Sequence, residues 1–175
     1  MTAVTHDLPQ HASSTGPTGS LLDAAHDLAD DLRVITKVVA HHFGARTAAI
    51  NLVDGDGRLV NVGAYPMPAW LGFAAGLAGR PAPCLRVIGA NAAAIVQGCD
   101  GDDIYAGAPL RCGGQTVGVL CMVHEQPLQD AEILLPAMVW VGDEIVRLLL
   151  AGERPGQEFF DVMADISRAG IASWH

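Results

Sequence analysis

Three kinds of side chain in this sequence could do chemistry: thiols, imidazoles and a few polar groups set in apolar surroundings. The thiols are Cys84, Cys99, Cys112 and Cys121. No two of them form a C-x-x-C pair, the close spacing by which zinc sites are usually recognised. They therefore read as reduced and mostly buried. Cys84 is the one with a reactive alternative. It stands where a short helix would begin, and a helix N-terminus favours the thiolate.

The imidazoles are less promising. His41 and His42 end an amphipathic segment, and neighbouring helical residues point about 100° apart, so they cannot chelate one ion together. Their simpler role is as cations near a helix C-terminus. His124 ends a strand, where a surface position is expected ahead of a haem-ligand role. His6 and His11 fall in a polar N-terminal stretch. Among the polar residues, Arg86, Asn91, Asp102, Asp103 and Tyr105 lie in or beside an irregular segment with few other charges. A small-molecule pocket over an apolar sheet needs only a few such groups to orient its ligand. Trp70 and Phe73 would line that pocket or fill it. The bland alternative makes Asp102 and Asp103 a solvated loop, with Arg86 paired to one of them. There is no Ser-His-Asp order, phosphate loop or glutamate pair, so no catalytic residue is assigned. No metal site is assigned, and the cofactor, if there is one, is unknown from sequence.

The elements that must position these groups begin with residues 104–124. They read as two strands joined by Gly113-Gly114, since a two-residue hairpin loop needs the positive φ that glycine adopts without steric cost. Val117, Val119, Cys121 and Val123 are expected on one face of the second strand, with Leu120 and Met122 on the other. A strand apolar on both faces belongs at the centre of a sheet covered on both sides. With this turn, Cys112 faces Gln115 and Cys121 faces Ala106. Those two cysteines then sit at different levels of the ladder and do not bridge.

Upstream, residues 1–19 are rich in Ser, Thr, Gly and Pro and predict a disordered tail. Ser20 is an N-cap candidate for a helix through Gly44, with Leu21, Ala25, Leu28, Leu32, Ile35, Val39 and Phe43 on its apolar face. Residues 46–54 and 58–65 predict a second hairpin about Asp54-Gly55-Asp56-Gly57. Pro66, Pro68, Pro81 and Pro83 break residues 66–91 into short pieces, with a helical turn at residues 84–88. Residues 92–97 predict a short strand, and 99–103 an acidic loop. A long helix is expected through Leu150, capped by Asp130, with Pro136 forcing a later start or a kink. Residues 152–156 break the chain, and Phe159, Phe160, Met163 and Ile166 mark a last amphipathic helix ending at Gly170.

Bulk properties narrow the function. At 175 residues and 50% hydrophobic content, the chain is one domain with a sizeable core. A net charge of −9 argues against nucleic-acid and anionic-membrane surfaces. No apolar run is long enough to span a bilayer, and no basic-then-apolar leader opens the sequence, so a cytoplasmic location is expected.

The order helix, hairpin, irregular helical segment, short strand, hairpin, long helix, together with Tyr105-Ala-Gly-Ala-Pro-Leu110, Gly118-Val-Leu-Cys-Met-Val123 and Cys84-Leu-Arg-Val-Ile88, resembles a GAF domain over about residues 20–151. The organisation is then a tail (1–19), a GAF-like domain (20–151) and a C-terminal extension with a short amphipathic helix (152–175). The resemblance implies an α+β fold like that of PAS domains. An antiparallel sheet carries the terminal helices on one face and, on the other, a ligand pocket roofed by residues 66–104. It also implies a non-catalytic sensor that binds a small molecule or a protein partner and reports through its terminal helices. With no output domain in the chain, signalling would need a homodimer or a separate signalling protein. Marked subclasses fit poorly. The Asn-Lys of cyclic-nucleotide-binding members is missing, and so are the adjacent cysteine and histidine and the Asp-Ile-Pro of bilin-binding ones. Free methionine sulfoxide reductases share the fold and place cysteines near Cys84 and Cys99. Their strand-end carboxylates are replaced here by apolar residues. That thiol enzyme and a haem-binding gas or redox sensor remain the alternatives.

Overall fold

The computed structural model describes residues 17–66, 83–97, 103–125, 128 and 131–171. Trp70, Phe73, Cys99, Asp102, the Asp130 cap and the tail residues 1–16 lie outside them.

Five antiparallel strands form one sheet in the order β2-β1-β5-β4-β3. They are β1 (Thr47–Val53), β2 (Leu59–Tyr65), β3 (Ala94–Gln97), β4 (Ile104–Cys112) and β5 (Gln115–His124). The strand that is apolar on both faces, β5, is the central one, paired with β1 and β4. Gly113 and Gly114 turn the β4–β5 hairpin with φ of 58° and 80°, as its two-residue loop requires.

Register departs from the simple hairpin at one point. Leu110 pairs Gly118 but Arg111 pairs Thr116, leaving Val117 as an extra residue. This β-bulge has two consequences. Val117 joins Leu120 and Met122 on the helix-covered face, whereas Val119 and Cys121 face the other way. Cys121 also pairs Gly107 and not Ala106. Cys112 does face Gln115.

One face of the sheet carries helices α1 (Pro17–Asp27), α2 (Ala29–His42), α4 (Ala131–Ala151) and α5 (Gln157–Ile171). Leu21, Leu32, Ile35, Met138, Val141, Ile145, Leu148 and Met163 from these helices meet Ile50, Leu52, Leu110, Leu120 and Met122 in the main core. The first helix starts at Pro17, earlier than Ser20, because proline suits the first helical position. It is interrupted at Leu28 (φ −100°, ψ 17°), while the Leu28 N–H still donates to the Ala24 carbonyl at 3.0 Å. The bend keeps the apolar residues of both halves on the core. Helix α4 continues through Pro136. The carbonyl that proline leaves unbonded belongs to exposed Glu132, where water can reach it. Helix α5 completes the layer: Phe159 stacks on Trp140 with ring centroids 5.8 Å apart.

The opposite face is covered differently. Among the described residues only α3 (Pro83–Ala90) packs there, over β4 and β5. It closes a second, smaller cluster of Ala49, Ala64, Cys84, Val87, Tyr105, Val119 and Cys121.

Candidate functional site

The second cluster holds the polar chemistry of the interior. Cys84 sits in the first turn of α3 with its side chain turned down onto the sheet, and is 6% exposed. Tyr105 on β4 donates from Oη to Cys84 Sγ at 3.3 Å. The ring reaches that far because Gly107, two residues along the strand, leaves its path open. A Cβ at position 107 would stand 2.7 Å from the Tyr105 ring and 2.8 Å from Val87.

Cys121 on the central strand is the second sulfur, 2% exposed and in the same buried cluster as Cys84. Asn51 on β1 donates from Nδ2 to Cys121 Sγ at 3.6 Å, and its Oδ1 accepts from Asn61 Nδ2 on β2 at 3.0 Å. The polar groups of the cluster thus come from five elements: Asn61, Asn51 and Cys121 on β2, β1 and β5, and Cys84 and Tyr105 on α3 and β4. Burying these amides and thiols is tolerable because each finds a partner.

The two sulfurs are not equivalent. The hydrogen bond from Cys121 holds the Cys84 thiol below its usual range; burial opposes this and the Tyr105 hydroxyl supports it. The same contact, together with burial and the charge on Cys84, pushes Cys121 well above its usual range. Of the two sulfurs, Cys84 is therefore the more readily ionised and Cys121 the less.

Of the residues singled out from sequence, Cys84 and Tyr105 meet directly. Arg86 lies on the exposed side of α3, away from Asp103. That carboxylate is taken by Arg46, whose guanidinium also reaches Glu125 at 3.3 Å. Asn91 follows α3 in the left-handed region (φ 49°). Its Oδ1 accepts from Arg111 Nε at 3.2 Å and Thr116 Oγ1 at 2.6 Å, and its carbonyl from Arg111 at 2.9 Å. It ties the end of α3 to the β4–β5 hairpin and does not enter the cluster. Asp102, Trp70 and Phe73 belong to the segments outside the described residues.

Sequence reasoning did not select Cys121, Asn51 or Asn61 for this site. Asn51 and Asn61 stand as lone amides in otherwise apolar strands, which was the available signal. That they face each other depends on the register Asn51↔Asn61.

The histidines stand apart from the cluster. His41 packs against Tyr65 with ring centroids 5.6 Å apart, while His42 Nδ1 bonds the Val38 carbonyl at 2.8 Å, so the two rings diverge. His124 is not at the surface: it is 3% exposed, on the helix-covered side, and its Nε2 has no hydrogen-bond partner. Burial lowers its pKa to about 4, against a hydrogen bond to the Gly44 backbone that acts the other way. Among the described residues no three His, Cys, Asp or Glu side chains converge to hold a metal ion.

Comparison with known proteins agrees with this architecture. The sequence matches the GAF domain family over residues 27–139. No curated protein matches it in sequence. Solved structures of similar fold include the GAF domain of an Acinetobacter phosphoenolpyruvate-protein phosphotransferase. It has 12% identity and a TM-score of 0.57, with 75% of this chain and 91% of that one covered. The second GAF domain of DevS from Mycobacterium smegmatis superposes at 18% identity and a TM-score of 0.53, covering 70% of this chain and 93% of that one. A type II free methionine-R-sulfoxide reductase from Thermoplasma acidophilum does so at 10% identity and a TM-score of 0.59, covering 75% and 99%. At such identities the likeness is one of fold.

Proposed function

The chain belongs to the GAF domain family, and from that premise we propose that it is a non-catalytic sensory or regulatory module. It binds a small molecule or a protein partner on the α3 side of the sheet and reports through its terminal helices. The observation that carries this reading is the difference between the two sheet faces. Four helices fill one face with large aliphatic side chains. The other carries a smaller cluster of Ala49, Ala64, Cys84, Val87, Tyr105, Val119 and Cys121, with α3 as its described cover. A sheet face with a short cover and a few polar groups is the side on which a ligand would be held and oriented. The strands keep both faces in register, so a change at β4 and β5 is passed to α4, which packs on β4.

The helix layer supports the reporting half of the proposal. Val34 on α2, Ile133 and Leu150 on α4 are 47%, 43% and 59% exposed, and they are the positions at which a contact with a second copy or a signalling partner is first tested.

Native mass spectrometry of the purified chain, before and after mild denaturation, tests both halves. A non-covalent added mass that is lost on denaturation, or a dimer, is the expected result. A bare monomer under both conditions, at cellular concentration, overturns the proposal. No helix among the described residues is long and apolar enough to cross a membrane.

A further inference from the structure

Cys84 and Cys121 are free thiols of one buried cluster that belong to two elements packed on each other: α3, which covers the sheet, and β5, its centre. We infer that Cys84 and Cys121 are a dithiol pair that a hydroperoxide converts to a disulfide, locking α3 onto the central strand. This modification site stands independently of whether the same face binds a small molecule.

Four features of the site point to it. The two sulfurs lie in one small buried cluster, and each receives a donor from the protein: Tyr105 Oη on Cys84 and Asn51 Nδ2 on Cys121. Gly107 opens the path that brings the Tyr105 hydroxyl to Cys84, and Asn61 fixes the Asn51 amide so that its N–H₂ faces the sulfur. The pair also divides the labour that disulfide formation needs. Cys84 is the nucleophile, and Cys121 retains the proton that the second step must release.

The chemistry balances in two steps. The Cys84 thiolate attacks the terminal oxygen of a hydroperoxide and the O–O bond breaks. The alkoxide takes a proton and leaves as the alcohol, or as water from hydrogen peroxide, and Cys84 becomes a sulfenic acid. Cys121 then attacks the Cys84 sulfur, the S–S bond forms, and its proton leaves with the hydroxyl as water. Two thiols lose two electrons, and the peroxide gains them. The low exposure of both sulfurs limits the oxidant to small molecules and keeps larger disulfides out. A dithiol reductant reverses the change once the site opens.

The full chain, reduced and then treated with hydrogen peroxide while folded, tests the inference. Free thiols are blocked and the unreduced peptides are mapped by mass spectrometry. The expected result is a peptide pair linked through Cys84 and Cys121, with the intact mass lower by two hydrogens and restored by dithiothreitol. Cys121→Ser is expected to stop at oxygen adducts on Cys84. Tyr105→Phe is expected to slow the linkage about tenfold, the weight of one hydrogen bond to a charged acceptor. A chain with Cys99 and Cys112 both changed to Ser leaves Cys84 and Cys121 in place and should oxidise as the unaltered chain does. That variant keeps the test open if Cys121→Ser does not fold. Linkage of Cys84 to Cys99 or Cys112 in the folded chain overturns the inference. So does retention of free Cys84 and Cys121 while other thiols oxidise.

Discussion

Lowering the pH from 7 to 4 should destabilise this domain chiefly through His124. Its ring is 3% exposed, with an unpaired Nε2, and its pKa falls to about 4. In the unfolded chain the same group titrates near the usual histidine value of about 6.5. Between those values the unfolded chain binds a proton that the folded chain refuses. The contribution is thus complete above about 6.5, declines as pH falls, and levels off below about 4. A displacement of about 2.5 units at ~1.36 kcal/mol each amounts to roughly 3 kcal/mol. That is a large part of the 5–15 kcal/mol by which domains are typically stable. Charged neighbours do not offer a rescue. Asp103 precedes Ile104, the ladder partner of His124, and Glu125 follows His124, but both carboxylates are engaged by Arg46. The assay is urea unfolding at half-unit steps of pH on the natural chain and on His124→Leu, which cannot titrate. Carboxylates contribute equally to both proteins, so the difference between them isolates the imidazole. It should change by roughly 1.4 kcal/mol per pH unit between 6 and 4.5 and stay flat above 7. A difference that does not vary with pH would refute the buried, neutral imidazole.

Gly118→Ala should cost about 2–3 kcal/mol, read from the urea midpoint. Its Cβ would lie 2.3 Å from the Asn51 backbone oxygen, an atom fixed by the sheet, and an unchanged midpoint would contradict that close approach. Met163→Ala should cost roughly 2–4 kcal/mol, because this side chain, wholly buried on α5, plugs the helix layer. A loss well below that range would mean that α5 docks more loosely than the packing indicates. Arg46→Ala should cost under about 1 kcal/mol and lose its effect at high salt, since the guanidinium side chain is 40% exposed despite its two partners. A larger, salt-independent loss would make the Asp103–Arg46–Glu125 bridge a structural clasp.

The parts of the fold that were legible in the sequence are those governed by local physics. Gly113-Gly114 specified its own turn, and two-sided apolarity placed β5 at the sheet's centre, because burial on both faces leaves no other position for it. The helix-lining residues from Leu21 to Val39 are buried where their spacing put them. What stayed hidden depended on register. One bulge residue, Val117, changes face and moves the partner of Cys121 from Ala106 to Gly107. Only with that shift does Cys121 stand opposite a residue without a side chain, where the Tyr105 ring and Cys84 have room to gather. The same limit explains His124. Strand ends are exposed on average, yet this one lies under the helix layer beside the Gly44 backbone. No spacing within a single element encodes that contact. The candidate site was therefore half visible: Cys84 and Tyr105 stood out as unusual groups in apolar neighbourhoods. Their partners Cys121, Asn51 and Asn61 became functional candidates only when three strands were laid side by side. A reactive pair assembled from separate elements is sensitive to the packing between those elements. Oxidation of the pair would therefore be felt in how α3 sits on the sheet, and a face bearing two sulfurs gains a chemical role that neither cysteine has alone.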